Sequence, residues 1–273
     1  MPAAPTPDSL SGPPTSVIIT GGAGGLGKVI ATAFLNAGSN VSVCDINIER
    51  LSQTEAEWVS NSDYAGKFLV SRTDITDESA VQAFVSETVS KFGRLDMVVN
   101  NAGILDGFDP VGTTDKALWD RVIGINLTGT FLMSKAGVCA MEKQDPVGGT
   151  VINIGSVASY KGVNAGAAYT ASKHAVLGLT RNTAGVYGEK GIYCIALLLG
   201  GMDDTNIGDA FRSGVFNQEG MARIGKVNPG YVHGETNIAL EDVAKYCVFL
   251  ADRNMAANMN GAGITMNKNW PAA

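Results

Sequence analysis

The sequence predicts an α/β fold: a doubly wound parallel sheet of about seven strands with helices on both faces. Three observations predict it. From Ser16 onward, short β-branched runs alternate with longer segments of helical period. The runs are apolar at successive positions, as strands covered on both faces must be. The first run passes through a glycine-rich turn directly into a helical segment, the connection at which sheets of this kind bind ligands.

Residues 1–15, rich in Pro, Ser, Ala and Thr without periodicity, are expected to form a flexible tail. The strand candidates then follow in order: SVIIT (16–20), NVSVCD (40–45), KFLVSRTD (67–74), LDMVVN (95–100), GTVINIGS (149–156), IYCIALLL (192–199) and GITM (263–266). Helical period fills 26–37, 77–92 and 167–187 between them. No linker divides 16–273, which is expected to be one catalytic domain without internal repeats. Residues 202–235 lack a strong period and are glycine-rich; they are expected to form a mobile flap over the sheet's edge.

Composition narrows the function classes. With 45% hydrophobic and 17% charged residues the chain can bury a large core. A net charge of -6 argues against a phosphate-backbone partner, because nucleic-acid binders concentrate Lys and Arg on one face. No apolar run approaches the roughly 18 residues of a membrane span, and the start has neither a basic region nor an apolar core, so a cytoplasmic protein without a membrane partner is expected. Cys44, Cys139, Cys194 and Cys247 are widely spaced and read as isolated buried thiols, not as a disulfide or metal framework. The sequon at Asn126 reads as a chance match.

The cofactor end follows the first strand. In TGGAGGLG, Gly21, Gly25 and Gly27, with Leu26 between the last two, let the backbone turn tightly and approach a pyrophosphate at a helix N-terminus. The second strand ends at Asp45, at the distance where a carboxylate can accept the ribose hydroxyls of an adenosine and repel a 2'-phosphate. The expected cofactor is therefore NAD; the alternative for Asp45 is a cap on the helix beginning in INIERL. Asp74 and Ile75 after the third strand, and Asn101, Ala102 and Gly103 after the fourth, read either as plain turn chemistry or as the rest of an adenosine-binding edge.

The chemical end follows the fifth strand. Ser156 stands in NIGSVAS, and thirteen residues later YTASK places Tyr169 and Lys173 four apart, on one face of a helix. The ammonium is expected to favour phenolate and draw the phenol's pKa toward the working range of a general acid/base, with Ser156 orienting a substrate oxygen beside it.

In this order TGGAGGLG, NNAG, Asn126 in GINLTG, Ser156 and YTASK resemble the short-chain dehydrogenase/reductase family in its classical single-domain form, over roughly residues 16–266. The resemblance implies a Rossmann fold and hydride transfer between a nicotinamide and a secondary alcohol or ketone. It also implies roles: Tyr169 as proton donor or acceptor, Lys173 lowering its pKa and holding the nicotinamide ribose, Ser156 binding the reacting oxygen, and Asn126 holding a water. By analogy the protein is expected to be a homodimer or homotetramer acting on a small-molecule substrate.

Two stretches depart from the family. Where Pro-Gly and a Thr are common after the sixth strand, this chain reads LLLGGMDDTN: Gly200 keeps the glycine, Met202 falls at the nicotinamide-contacting position, and Asp204 stands where the Thr is expected. A carboxylate beside a pyrophosphate is repulsive. Three arrangements are open: a one-residue slip that gives Thr205 the phosphate role while Asp203 and Asp204 cap the flap's first helix, an aspartate that binds a cationic substrate nitrogen, or a scaffold turned to non-redox chemistry. The C-terminal TMNKNWPAA replaces a short Gly-Gly close, and Trp270 reads either as packed on its own chain or as reaching a neighbouring subunit. His174 is expected to pack between helices, and His233 to stand in the flap. Phe211, Val215, Phe216 and Met221 make that flap apolar and suggest a hydrophobic substrate. The expected activity is an NAD-dependent dehydrogenase or ketoreductase; an isomerase or lyase using Tyr169 and Lys173, and a non-catalytic nucleotide sensor, are the alternatives.

Overall fold

Strand β1 (Ser16–Thr20) is buried along its whole length and pairs with β2 (Asn40–Asp45) on one side and β4 (Met97–Asn100) on the other. In this computed structural model, which describes residues 15–203, 205, 207, 216–232 and 234–272, β3 (Phe68–Arg72) extends the sheet beyond β2. β5 (Gly149–Ser156), β6 (Ile192–Leu199) and β7 (Gly263–Met266) extend it beyond β4. The seven strands are parallel, in the order β3-β2-β1-β4-β5-β6-β7. The strand order reverses between β1 and β4, the crevice where open sheets of this topology bind ligands.

Alternation along each strand explains why the runs are apolar throughout. Val17 and Ile19, Val41 and Val43, Met97 and Val99, and Ile152 and Ile154 point to one face, against α1 (Gly25–Asn36), α2 (Ile48–Val59), α8 (Leu240–Phe249) and α9 (Arg253–Asn258). Ile18, Cys44, Val98 and Val151 point to the other, against α3 (Glu78–Phe92), α5 (Thr130–Lys143) and the end of α6 (Ala167–Tyr187). Along β1, β4, β5 and nearly all of β6 each residue enters one of these two layers, so no polar alternation is needed.

Some boundaries differ from the sequence reading. Asp77 lies outside α3 as its N-cap, its carboxylate accepting from Ser79 and Ala80 N–H, and the helix ends at Gly93 with φ 82°. Leu95 and Asp96 precede β4, because the Asp96 carboxylate accepts from the Ser16 N–H and pairs with Arg94. Residues 1–14 of the proposed tail, together with Asp204, Phe211, Val215 and His233, lie outside the described residues. The flap segment contains a helix that its weak period did not announce: α7 (Gln218–Val227), capped by the Asn217 side chain on Gly220 N–H and without a buried residue. Cys139 is exposed, unlike the other three cysteines, and all four are free.

One stretch among the described residues, Lys116–Lys143, is long and apolar enough by length and composition to cross a membrane, a correction to the expectation that none approaches it. It comprises α4 (Lys116–Ile123), a π-helical segment (Gly124–Gly129) and α5, and half of its most apolar window is buried in the fold. Its buried residues Leu132, Met133, Val138 and Met141 serve the core of the sheet.

Candidate active site

The glycine turn sits at the carboxyl end of β1. Gly21 has φ 63°, in the left-handed region, and a Cβ on Gly27 would stand 2.1 Å from the Gly21 carbonyl oxygen, so the turn and α1 approach too closely for a side chain. Asn101 holds the turn from behind: its Nδ2 donates to the Thr20 and Gly21 carbonyls at 3.0 and 3.2 Å. Thr20 Oγ1 accepts from the Asn101 and Ala102 N–H groups. The side chain of Asn101 is therefore engaged by the turn itself.

Asp45 is not the cap of α2. That cap is Asn47, whose Oδ1 accepts from Arg50 N–H, while the Asp45 carboxylate accepts from Asn47 N–H at 3.0 Å and Ala23 N–H at 3.4 Å. Asp45 thus stands half-buried at the end of β2 beside the glycine turn. Asp74 is engaged in turn chemistry, accepting from the N–H and hydroxyl of Thr76. Ile75 is buried against the π-helical segment at Gly129.

Ser156, Tyr169 and Lys173 come together at the end of β5 and the first turns of α6, all three at most 8% exposed. Ser156 caps a tight turn, its Oγ accepting from Ala158 N–H while Ser159 Oγ accepts from Ser156 N–H. Lys173 Nζ donates to the Ile154 carbonyl at 2.8 Å and lies 5.6 Å from the centre of the Tyr169 ring. Asn126 is fully buried in the π-helical segment; its Oδ1 accepts from Ile104 N–H, and its Nδ2 donates to the Ile104 carbonyl and to Ser172 Oγ. Gly103 lies between Asn126 and Lys173: a Cβ there would be 3.2 Å from Asn126 Oδ1 and 3.6 Å from Lys173 Nζ.

The described residues just after β6 are tied down. Gly200 N–H donates to the Met266 carbonyl and Gly201 accepts from Ile238 N–H. The Asp203 carboxylate accepts from Asn237 Nδ2, which also lies 3.0 Å from the Tyr231 hydroxyl. Met202 is half-buried against the core, and Thr205 is half-buried in the same loop. Trp270 packs on its own chain, 4.8 Å from the Tyr231 ring, with Nε1 donating to the Pro229 carbonyl. His174 is exposed on α6 instead of packing between helices, its Nδ1 beside the Thr170 carbonyl oxygen.

A family model described as short chain dehydrogenase matches residues 15–215. The chain belongs to the short-chain dehydrogenases. It is 44% identical over 265 residues to the short chain dehydrogenase/reductase dpfgG of Gibberella zeae, covering 96% of this chain and 95% of that one. It is 35% identical over 258 residues to 3beta-hydroxysteroid dehydrogenase 2 of Eggerthella lenta, covering 94% and 95%. Among solved structures, levodione reductase superposes with a TM-score of 0.81 at 30% identity, over 95% of this chain and 98% of that one. As a short-chain dehydrogenase the protein is an oxidoreductase with the Rossmann fold of a nicotinamide-binding enzyme.

The residues present in this short-chain dehydrogenase fit such a cofactor. The start of α1 has Gly24 as N-cap with no side-chain capping bond and no acidic residue in its first turn, so its N–H groups face a glycine-lined approach suited to a pyrophosphate. Electrostatics at the chemical end differ from the sequence expectation. Burial pushes the Tyr169 phenol up to about 12, with the Ser156 hydrogen bond pulling it down and the Asp106 charge adding to the rise. Burial also brings Lys173 down to about 8. The ammonium therefore does not draw the phenol down here: its Nζ donates to the Ile154 carbonyl, and burial is the largest cause of both shifts.

Sequence reasoning missed the groups that hold these elements in place. Asp106, Asn217, Asn228 and Asn237 are isolated polar residues in loops or at a helix end, and no local pattern distinguishes them from solvated ones. Asn228, buried at the end of α7, donates from Nδ2 to the Val163 carbonyl, and Asn217 donates to the Asp109 carboxylate. Their partners lie 65 and 108 residues away in sequence.

Proposed function

We propose that this short-chain dehydrogenase uses NAD to interconvert a secondary alcohol and a ketone on a small to medium hydrophobic molecule, with Tyr169 as general acid/base. The observation that carries the reading is the buried cluster of Ser156, Tyr169 and Lys173 at the end of β5 and the start of α6, with Lys173 Nζ 5.6 Å from the centre of the Tyr169 ring. The relatives named for a hydroxysteroid dehydrogenase and a levodione reductase support cyclic, largely apolar substrates.

In this reading Ser156 orients the reacting oxygen. In the reduction direction the Tyr169 phenol donates its proton to that oxygen; in oxidation the phenolate takes the hydroxyl proton as the carbinol C–H bond breaks and the ketone forms. When bound, the nicotinamide supplies the hydride or accepts it. The glycine turn with Leu26 and the start of α1 hold the pyrophosphate, Asp45, Asp74, Ile75, Ala102 and Gly103 line the adenosine side, and Lys173, Gly200, Met202 and Thr205 meet the nicotinamide end. Asn126 holds a water at the gap beside Gly103 and Lys173. A phenol kept above its ordinary range is protonated at neutral pH, the form required for ketone reduction. Segment 202–235 serves as the substrate flap of a single catalytic domain, 16–273.

The experiment mixes purified protein with NAD or NADP and a panel of cyclic secondary alcohols, and records absorbance of the reduced nicotinamide. Turnover with NAD, abolished by Tyr169→Phe, is expected. Consumption of a panel member with no reduced nicotinamide formed would replace this reading with isomerase or lyase chemistry.

We also propose a cytoplasmic homodimer or homotetramer, without nucleic-acid or membrane partners. A groove of about 800 Å³ between α3 and α5, lined by Val85, Val89, Leu132, Ala136 and Cys139 among others, offers apolar surface to a second copy. Light scattering on the eluting protein tests the mass; a monomer at micromolar concentration would refute it.

A further inference from the structure

The first turn of α6 has no cap of its own. Its N-cap residue is Gly166, which has no side chain, yet the N–H groups of Gly166, Ala167 and Tyr169 are all satisfied. Their partners come from the loop after β4. Asp106 Oδ1 accepts from Gly166 N–H at 2.9 Å, Asp106 Oδ2 accepts from Tyr169 N–H at 2.8 Å, and the Asp109 carbonyl accepts from Ala167 N–H at 2.9 Å. Asp106 is only 3% exposed, and among the described residues no Lys or Arg pairs with it.

Two local features make this approach possible. A Cβ on Gly166 would lie 2.5 Å from Asp106 Oδ2, so only glycine leaves room for the carboxylate. Phe108, with φ 62°, turns the chain back so that its own N–H also donates to Asp106 Oδ1, at 3.1 Å. A buried carboxylate with three N–H donors at a helix N-terminus is held by charge-assisted bonds and by the helix dipole.

We propose that Asp106 is a positioning residue for the catalytic tyrosine: by binding the backbone N–H of Tyr169 itself and of Gly166, it fixes where the first turn of α6 places the phenol against Ser156. The inference rests on the acid/base reading of Tyr169. The same carboxylate adds a negative charge near the phenol and raises its pKa. Among the described residues Lys173 on α6 also faces the phenol; Lys116, Asp120 and Arg121 on α4, which packs on α6, are exposed.

The test compares Asp106→Asn, which keeps one acceptor and removes the charge, with Gly166→Ala, which keeps the charge and displaces it. Both variants are expected to lower kcat for the best panel alcohol by about tenfold or more, leaving the KM for NAD within about twofold, the split produced by a misplaced reacting group. Asp106→Asn alone is expected to move the Tyr169 titration to lower pH, read by NMR of ¹³Cζ-labelled tyrosine in NAD-saturated protein and assigned by loss of the signal in Tyr169→Phe. That signal needs no substrate, and a purely structural role would not shift it. If Asp106→Asn does not fold, Gly166→Ala decides by its kcat. Near-native kcat in the folded variants with an unmoved titration overturns the proposal. Turnover retained by Tyr169→Phe would instead overturn the acid/base reading, so the two failures are distinct.

Discussion

Lys173 Nζ lies 5.6 Å from the centre of the Tyr169 ring and donates to the Ile154 carbonyl, so the amine is anchored to β5 and not to the phenol. Both groups are buried, and burial acts in opposite directions on them: the acid is weakened to about 12 and the base to about 8. The protein thus holds an amine that gives up its proton more readily than free lysine beside a phenol that keeps its own.

The amine has a consequence for stability. Its folded pKa of about 8 lies below the 10.5 of the unfolded chain, so between these values the unfolded state binds more protons. This group's contribution to stability therefore rises with pH across that window, and the penalty for burying the charge is fully present below it. The full shift corresponds to about 3 kcal/mol as an upper bound. Lys173→Met removes the titration. Its stability relative to wild type is expected to be greatest near pH 7 and to decline toward pH 10.5, measured as the difference in urea midpoints. A difference independent of pH would contradict a depressed Lys173.

Asp45 stands opposite Arg72 in the β2–β3 register, and Arg72 is exposed. Removing the Asp45 charge while keeping its shape should leave the Asn47 N–H contact in place and uncover Arg72 to a 2'-phosphate. Asp45→Asn is expected to reduce the preference for NAD over NADP by about tenfold or more, a loss of roughly 1.4 kcal/mol of discrimination. Comparing kcat/KM for the two cofactors measures it, and an unchanged ratio would remove Asp45 from the selectivity argument.

How much of this was legible beforehand depends on whether a feature is local. The parallel sheet was legible because Val17, Ile18 and Ile19 are apolar in succession, a pattern that only a strand with two covered faces requires. Ser156, Tyr169 and Lys173 were legible as a group because they lie within one β–α unit. Asp106 was not: its meaning depends on Gly166, sixty residues away, being too small to block it. The direction of the Tyr169 shift was misread for the same reason, since spacing reports a neighbouring charge but not the depth at which both groups are buried.

Asn217 joins the loop after β4 to the segment proposed as the substrate flap. Its backbone N–H donates to the Gly107 carbonyl, its Nδ2 to the Asp109 carboxylate, and its Oδ1 accepts from Gly220 N–H as the cap of α7. Asn217→Ala leaves the first contact and deletes the other two, at a local cost of about 1 kcal/mol. Because α7 buries no residue of its own, this cost should appear as local opening and not as global destabilisation. Amide exchange in 218–227 is expected to accelerate about fivefold while exchange in β5 stays unchanged, and the KM for the alcohol should rise without a matching rise for NAD. Equal changes in both elements would show that the flap does not open independently.

The two aspartates after β6 yield the last prediction. Asp203 lines a cavity of about 510 Å³ together with Gly25 and Lys28 at the start of α1, and within it Asn237 neutralises part of the carboxylate's demand by donating to it. The opposite end of that amide, Asn237 Oδ1, is buried without a hydrogen-bond partner among the described residues, so the side chain is held for what its nitrogen does. Asn237→Ala removes this donor from Asp203, which lines the cavity at the helix start proposed to hold the pyrophosphate. A carboxylate that has lost one donor repels a pyrophosphate there more strongly, by about 1 kcal/mol per close contact in water, so the KM for NAD should rise by up to roughly fivefold, and less at high salt. Adding Asp203→Asn to Asn237→Ala should restore most of the affinity, because the repulsion needs the charge. The pair would then show coupling in a double-mutant cycle, whereas strictly additive effects would mean that Asn237 acts only on the backbone of its own loop and that Asp203 never faces the cofactor.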